Sequence, residues 1–307
     1  MTVASVTAKI MSAVLSAVFH SRFIKNENMS ANAGAATENS RSRFRPPRGY
    51  TLTRTPCGEC FMECLVPENA GTDTVIFHIH GGSFKIKLID LYRRLALKYS
   101  RTAGGAAVYS VDYRIMPEYI FPSQLDDVMC AWDMLTAKGV KPENIVAVGD
   151  SSGANLVLAL AQKLRDSGRP MPKKLVCFSL WGDMTACGES YERNCHSDPF
   201  YGIAKKESFH EHEAYFRRRP KYAGEHNLSD PYLSVSFADF SGFPPTVFFC
   251  GTAEVGESDT DTAFANALSA VIDAKLFKYD GLFHDFQLVP FLPETKDVFC
   301  KLGSILK

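Results

Sequence analysis

In the stretch VAVGDSSGANLVLALAQKL (146–164), Ser151 is boxed between Gly149 and Gly153, with strand formers before it and helix formers after it. Glycines and serines between two elements usually mark a loop, but almost no loop is left here. Strand, sharp turn and helix in immediate succession form the Gly-x-Ser-x-Gly elbow. Its glycines stand where a side chain would strike neighbouring backbone, and its serine hydroxyl is lifted into the open at the start of a helix. The helix N-terminus favours negative charge developing there. A phosphate-binding loop would need a Lys-Ser/Thr pair or Gly-x-Gly-x-x-Gly, and neither is present.

A serine hydroxyl is a poor nucleophile near neutral pH and needs a base, which in turn needs an orienting acid. Among eight histidines, His284 in YDGLFHDF follows the last strand-like run, where a loop can carry it over Ser151. His210 and His212 lie in a helical-looking stretch and point to different sides. His78 sits in a buried-looking strand and reads as core, and His20, His196 and His226 lack a matching context. The acid is expected between Ser151 and His284, after another strand. TVFFCGTAEVGESDTD offers Glu254, Glu257, Asp259 and Asp261. Glu254 comes first beyond the strand end and is favoured by position, with Asp259 as its rival; the others read as a solvated acidic first helical turn. For an oxyanion, VIFHIHGGSF ends a strand with His80, Gly81, Gly82 and Ser83. Amides of Gly81, Gly82 and Ser83 can face a substrate oxygen, joined by that of Ser152 just after the nucleophile.

The elements that must position these residues follow from periodicity. Short runs rich in β-branched and aromatic residues predict strands in DTVIFHIHGG, AAVYSVDY, NIVAVGD, KLVCFSLW, PTVFFCGT and AKLFKYDG. Between them, LYRRLALKYS, LDDVMCAWDML, ANLVLALAQKLRD and DTAFANALSAVI predict helices. This alternation from Tyr50 onward is the signature of an α/β fold with a mostly parallel sheet and helices on both faces. Residues 183–233 break the alternation and read as an inserted, partly helical cap, within a core of 49–182 and 234–307. Residues 1–48 read as an N-terminal cap helix, with Val3, Val6, Ile10, Val14 and Val18 on one face, followed by a polar mobile connection.

The chain of 307 residues is 46% apolar and 22% charged, ordinary values for a globular protein, and its 34 acidic and 34 basic residues cancel. That balance argues against nucleic acid or an anionic membrane as partner. FRRRPK and RSRFRPPR read as solvated surface. Nine scattered cysteines are unlike a disulfide framework and suit free thiols in a reducing compartment. Cys57, Cys60 and Cys64 invite a metal reading. They lie in a strand-like stretch with no second ligand group nearby in sequence, so packing is the better expectation. The N-terminal apolar run is too short and serine-rich to span a bilayer. With no basic cluster before it, it is a weak export leader, and the cytoplasm is the expected location.

Taken together, HGGSF (80–84), VDYRIMPEYIFPSQLDDV (111–128), GDSSGANL (149–156), DPYLS (230–234), GFPPTVFFCGTAE (242–254) and GLFH (281–284) resemble the hormone-sensitive-lipase-like branch of the α/β-hydrolase family over roughly residues 50–305. The resemblance implies an eight-stranded, mostly parallel sheet under a cap built from the N-terminal helices and the insertion after LWGDMT. It also implies hydrolysis of short- to medium-chain carboxylic esters by Ser151, His284 and an acid at Glu254, with no metal or organic cofactor. The same triad serves amidases and acyltransferases. A non-catalytic small-molecule receptor on this fold would typically have lost the base. Relatives often pair through edge strands or helices, so a homodimer is compatible, although no segment marks an interface. Three departures stand out: Ser83 where a third glycine is usual, Ser152 in place of alanine, and a bulky, basic KIKLIDLYRR after Phe84.

Overall fold

The computed structural model describes residues 2–22 and 42–306, with side chains over 4–17 and 42–306. Strands β2 (Tyr50–Cys57), β3 (Cys60–Pro67), β4 (Val75–Ile79), β5 (Ala107–Asp112), β6 (Ile145–Asp150), β7 (Lys174–Phe178), β8 (Thr246–Gly251) and β9 (Ala274–Asp280) carry the sheet. A two-residue strand β1 (Thr2–Val3) adds itself in parallel to the β9 edge. The sheet is nine-stranded in the order β1-β9-β8-β7-β6-β4-β5-β3-β2, with antiparallel pairing only at β2–β3 and β3–β5. All six predicted strands are present. The hairpin strand β2 and the C-terminal helix are elements that the patterning did not flag. Threonines and an arginine leave β2 half exposed at an edge, so its apolar signal is weak.

The helices α2 (Asp90–Thr102), α3 (Ser123–Ala137), α4 (Ser152–Asp166), α7 (Glu257–Ser269) and α8 (Pro293–Ile305) cover the two faces. Two large apolar clusters result, one on each side of the sheet. Phe77, Ile79, Trp132 and most of α4 belong to the first; Val146, Val148, Phe178, Tyr99 and Phe299 belong to the second. β6 is buried on every residue, as expected of a central parallel strand. α4 is built from alanine and leucine and is buried along most of its length; it stops at Ser167, just before Gly168 at φ +62°. This wedge of strand and helix, held from both faces, fixes the turn between them.

The N-terminal helix α1 (Val6–Arg22) forms where expected, but it turns a different face inward. Ala4, Ala8, Met11 and Leu15 pack into the second cluster, while Val6, Ile10 and Val14 are 73%, 60% and 53% exposed. The reason lies in the entry. β1 is pinned to β9, Ser5 N–H and Oγ donate to Glu294 at 2.5 and 3.1 Å, and Ser5 Oγ caps Ala8 N–H, so the rotation of α1 is set before its first turn. Val3 and Val18 belong to side chains outside the described residues, as does the connection over 23–41. The described end of that connection is tied down: Ser42 Oγ and the amides of Arg43 and Phe44 all donate to the Asp90 carboxylate.

Within 183–233 the chain forms two short helices, α5 (Ser190–Arg193) and α6 (Phe209–Phe216). A reciprocal capping box starts α6, Ser208 Oγ taking Glu211 N–H while the Glu211 side chain takes Ser208 N–H. Ala186, Tyr191, Ile203, Phe209, Phe216 and Val255 form a third apolar cluster that joins the insertion to the turn after β8.

Candidate active site

Ser151 stands between β6 and α4 at φ +52°, ψ −120°, a conformation that side chains rarely adopt and that costs about 1–3 kcal/mol. Its N–H donates to Phe178 O at 2.9 Å and its carbonyl accepts from Trp181 N–H, so the neighbouring strand β7 holds the strained residue in place. The flanking glycines have physical causes. A Cβ on Gly149 would lie 2.5 Å from the Gly153 carbonyl, and one on Gly153 would lie 2.1 Å from Ile79 O and 2.6 Å from His80 O. All of these are backbone atoms, which cannot give way cheaply. Gly153→Ala is therefore expected to cost about 3 kcal/mol, read as a fall in the urea midpoint. An unchanged midpoint would mean that the turn is looser than described.

The open side of the turn faces a cavity of about 460 Å³ lined by Ser151, His284, Ser83 and residues of the insertion. His284 hangs from the loop after β9. Its Nδ1 lies 3.3 Å from Glu254 Oε2, an ion-pair contact, with Glu254 wholly buried. The other oxygen, Oε1, accepts from Ser179 Oγ at 2.8 Å and from Gly251 N–H at 2.6 Å. The same Ser179 hydroxyl accepts from Asp285 N–H at 3.0 Å, and so ties the acid to the loop that carries the imidazole. His284 Nε2 lies 3.4 Å from Asp285 Oδ2 and makes no hydrogen bond among the described residues, the Ser151 hydroxyl included. In unliganded sites such bonds are often long and close only with substrate. Burial by itself would push the imidazole down. Asp285 beside Nε2, Glu254 beside Nδ1 and the nearby Tyr201 outweigh burial and hold it well above the usual range. Burial pushes the Asp285 carboxyl up, to about 6, against the pull of His284.

Asp259, the rival acid, is elsewhere. Its Oδ2 accepts from the amides of Gly182 and Asp183 at 2.9 and 3.0 Å and from Tyr191 OH at 3.2 Å, anchoring the start of the insertion. The first turn of α7 is also less solvated than its sequence suggests. Glu257 is 4% exposed and pairs with Lys278 and Arg193, and Asp261 pairs with Lys278 at 2.8 Å. The remaining described histidines stay out of the site. His78 is buried with Nδ1 on Ser110 Oγ, His80 stacks on Tyr113, His196 and His226 contact Ile203 O and Phe121, and His210 and His212 sit on α6. His20 falls among the residues whose side chains are not described.

Of the four amide candidates, Ser83 lines the cavity, at φ +55° beside Gly82 at φ +103°. No hydrogen bond among the described residues engages the amides of Gly82 or Ser83. Gly81 instead packs on Asp150, whose Oδ2 would be 2.3 Å from a Cβ there, and its amide helps to hold that buried carboxylate. The Ser152 hydroxyl is buried and accepts from Phe84 N–H at 3.4 Å, so it faces away from the cavity.

Some residues at the site escape sequence reasoning. Tyr201 stands edge-on to the His284 ring, centroids 4.9 Å apart, with its hydroxyl 3.0 Å from Ser83 Oγ. Asp198 is fully buried and fixes that tyrosine's loop: Oδ1 accepts from the amides of Phe200 and Tyr201, and Oδ2 from Val255 N–H beside Glu254. Ser179 and Asp285 complete the set. Nothing in their sequence surroundings signals this, because each acts through a contact more than fifty residues away or through an imidazole next door whose orientation is a tertiary matter.

A family model described as the alpha/beta hydrolase fold matches residues 76–288. The chain is 29% identical over 262 residues to an acetyl-hydrolase of Streptomyces hygroscopicus, covering 85% of this chain and 83% of that one. It is 30% identical over 240 residues to an esterase of Acinetobacter venetianus, covering 78% and 76%. A crystal structure of an esterase from the bacterial hormone-sensitive lipase (HSL) family aligns with a TM-score of 0.79 at 28% identity, over 98% of this chain and 97% of that one.

Proposed function

The chain belongs to the α/β-hydrolase fold family, in its hormone-sensitive-lipase-like branch, and from that premise we propose that it hydrolyses carboxylic esters through Ser151, His284 and Glu254. The observation that carries this reading is the meeting, at one cavity, of a strained serine on a helix N-terminus and an imidazole backed by a buried carboxylate. Ser151 Oγ attacks the ester carbonyl while His284 Nε2 takes its proton, and Glu254 holds the ring with its Nδ1 proton inward. The amides of Gly82, Ser83 and Ser152 receive the oxyanion; Gly81 shapes the turn against Asp150. His284 then protonates the departing alcohol, and water repeats the sequence to release the acid. Residues 183–233 act as the cap, because Asp183, Met184, Tyr191, Tyr201 and Tyr215 from this segment supply cavity wall.

A volume of about 460 Å³ stands at the low end of the roughly 300–1,000 Å³ of small-molecule sites and suits short- to medium-chain acyl groups. A series of p-nitrophenyl esters from acetate to dodecanoate should peak in kcat/KM before the long chains, and fluorophosphonate should label Ser151. Failure of both would remove the assignment. Nine free thiols favour a reducing compartment such as the cytoplasm. Among the described residues, no helix is long and apolar enough to cross a membrane.

Asp285 gives the reaction a definite pH dependence. The base must be neutral to accept a proton, and a raised imidazole reaches that form only at higher pH. Asp285→Asn removes the negative charge beside Nε2 while keeping the side chain's size, so His284 should fall toward its ordinary range. The acidic limb of the kcat/KM profile should move to lower pH. A limb that stays in place would show that Asp285 does not act on the base.

A further inference from the structure

Two consecutive residues of the turn after β4, Ser83 and Phe84, stand at φ +55° and +59°, a region that side chains rarely adopt and that persists only where the surroundings hold it. Phe84 is held by the core. Its buried ring stacks on Tyr222 with centroids 3.5 Å apart, its carbonyl accepts from Met116 N–H at 2.8 Å, and its own N–H reaches the Ser152 hydroxyl. On the other side, Gly81 packs on Asp150. Ser83, between these anchors, has no such support from its main chain. Among the described residues it is hydrogen-bonded through its hydroxyl, to Tyr201 OH at 3.0 Å.

Tyr201 comes from the insertion, between α5 and α6, and its own place is fixed from several sides. The Asp198 carboxylate takes the amides of Phe200 and Tyr201, together with Val255 N–H next to Glu254. The ring of Phe200 meets that of Phe283, the residue before His284, with centroids 5.9 Å apart. The turn closes tightly after Tyr201, since a Cβ on Gly202 would lie 2.4 Å from Asp198 O and 2.5 Å from Cys195 O. The Tyr201 ring then stands edge-on to the imidazole, at 87°. One side chain of the insertion therefore rests on the frame that carries the acid and the base, and its hydroxyl reaches the turn that carries two candidate oxyanion amides. Resting on the ester-hydrolase reading, we propose that Tyr201 is a positioning residue for oxyanion stabilisation: through Ser83 Oγ, its hydroxyl holds the Ser83 amide toward the oxygen that gains charge when Ser151 attacks. The effect belongs to the transition state, because such amides act on the oxyanion more strongly than on the neutral ester. The insertion then serves the chemistry as well as the cavity wall.

The test measures kcat and KM for p-nitrophenyl butyrate on the full chain, for Tyr201→Phe, Ser83→Ala and the two together. Active sites are counted by fluorophosphonate taken to completion, so that a loss of folded enzyme does not enter kcat. Each single change should lower kcat about tenfold, or about 1.4 kcal/mol in the barrier, with KM within about twofold of the parent. The double variant should fall no further than either single one, because both changes remove the same bond. A trifluoromethyl ketone, whose adduct with Ser151 carries an oxyanion, should lose about tenfold in affinity in the same variants, a loss that a merely structural role for Tyr201 would not produce at constant KM. A kcat loss below about threefold in Tyr201→Phe, a loss carried by KM, or losses that multiply in the double variant would overturn this inference, while Ser151-dependent turnover leaves ester hydrolysis standing. No Ser151-dependent turnover of the ester would overturn both.

Discussion

Ser151→Ala is expected to lower kcat for ester hydrolysis on the order of 10⁶-fold and to abolish fluorophosphonate labelling. On the proposed mechanism the effect is this large because the hydroxyl forms the bond to the acyl carbon; without it, only the polarising amides and the cavity would remain. The substitution should leave the fold in place. Alanine has the same Cβ at φ +52°, and the bonds from Ser151 N–H to Phe178 O and from Trp181 N–H to Ser151 O are made by the main chain. Ser152 is no substitute, since its hydroxyl is buried against Phe84 N–H. A variant with an unchanged thermal midpoint and more than about one thousandth of the parent kcat would show that another group attacks the ester.

Glu254→Gln is expected to lower kcat by about 10⁴-fold with little change in KM. Glu254 Oε1 already takes two donors, Ser179 Oγ and Gly251 N–H, so that end of a glutamine remains the oxygen. The amide nitrogen must then face His284 Nδ1. An N–H donor there selects the tautomer whose proton sits on Nε2, the atom that must accept from Ser151. The geometry survives and the base is switched off. Asp259→Asn serves as the comparison. Its carboxylate anchors the Gly182 and Asp183 amides and Tyr191 OH, so its loss should appear in stability and in cap placement. If Asp259→Asn had the 10⁴-fold effect and Glu254→Gln did not, the acid would have to be reassigned.

The two predictions draw on different levels of information. Ser151 is legible in the chain because the elbow is local: five consecutive residues suffice, and the steric reason for Gly149 and Gly153 lies in atoms those residues bring with them or meet in the adjoining strand. The predicted strands are legible for a similar reason: most are buried in the sheet and apolar on both faces, and half-buried β9 still carries Leu276, Phe277 and Tyr279 beside its lysines. β2 is not, because an edge strand with one wet face carries threonine and arginine. The inward face of α1 is not legible, because a stripe of valines fits a helical period whichever way the helix is turned, and its rotation is fixed by Ser5 and Glu294 at opposite ends of the chain.

Sequence alone thus singled out Ser151 and His284 as candidates and gave the order of elements, because strand, turn and helix propensities and a sterically demanding motif are properties of neighbouring residues. It ranked Glu254 above Asp259 but could not separate them physically, since both are acids shortly after the same strand. Tertiary structure made that distinction by aiming one carboxylate at an imidazole and the other at two amides. It also set Asp285 beside the His284 imidazole. Such outcomes depend on which distant segments pack together, and the free energy of burying them is recorded nowhere in the local pattern of the chain.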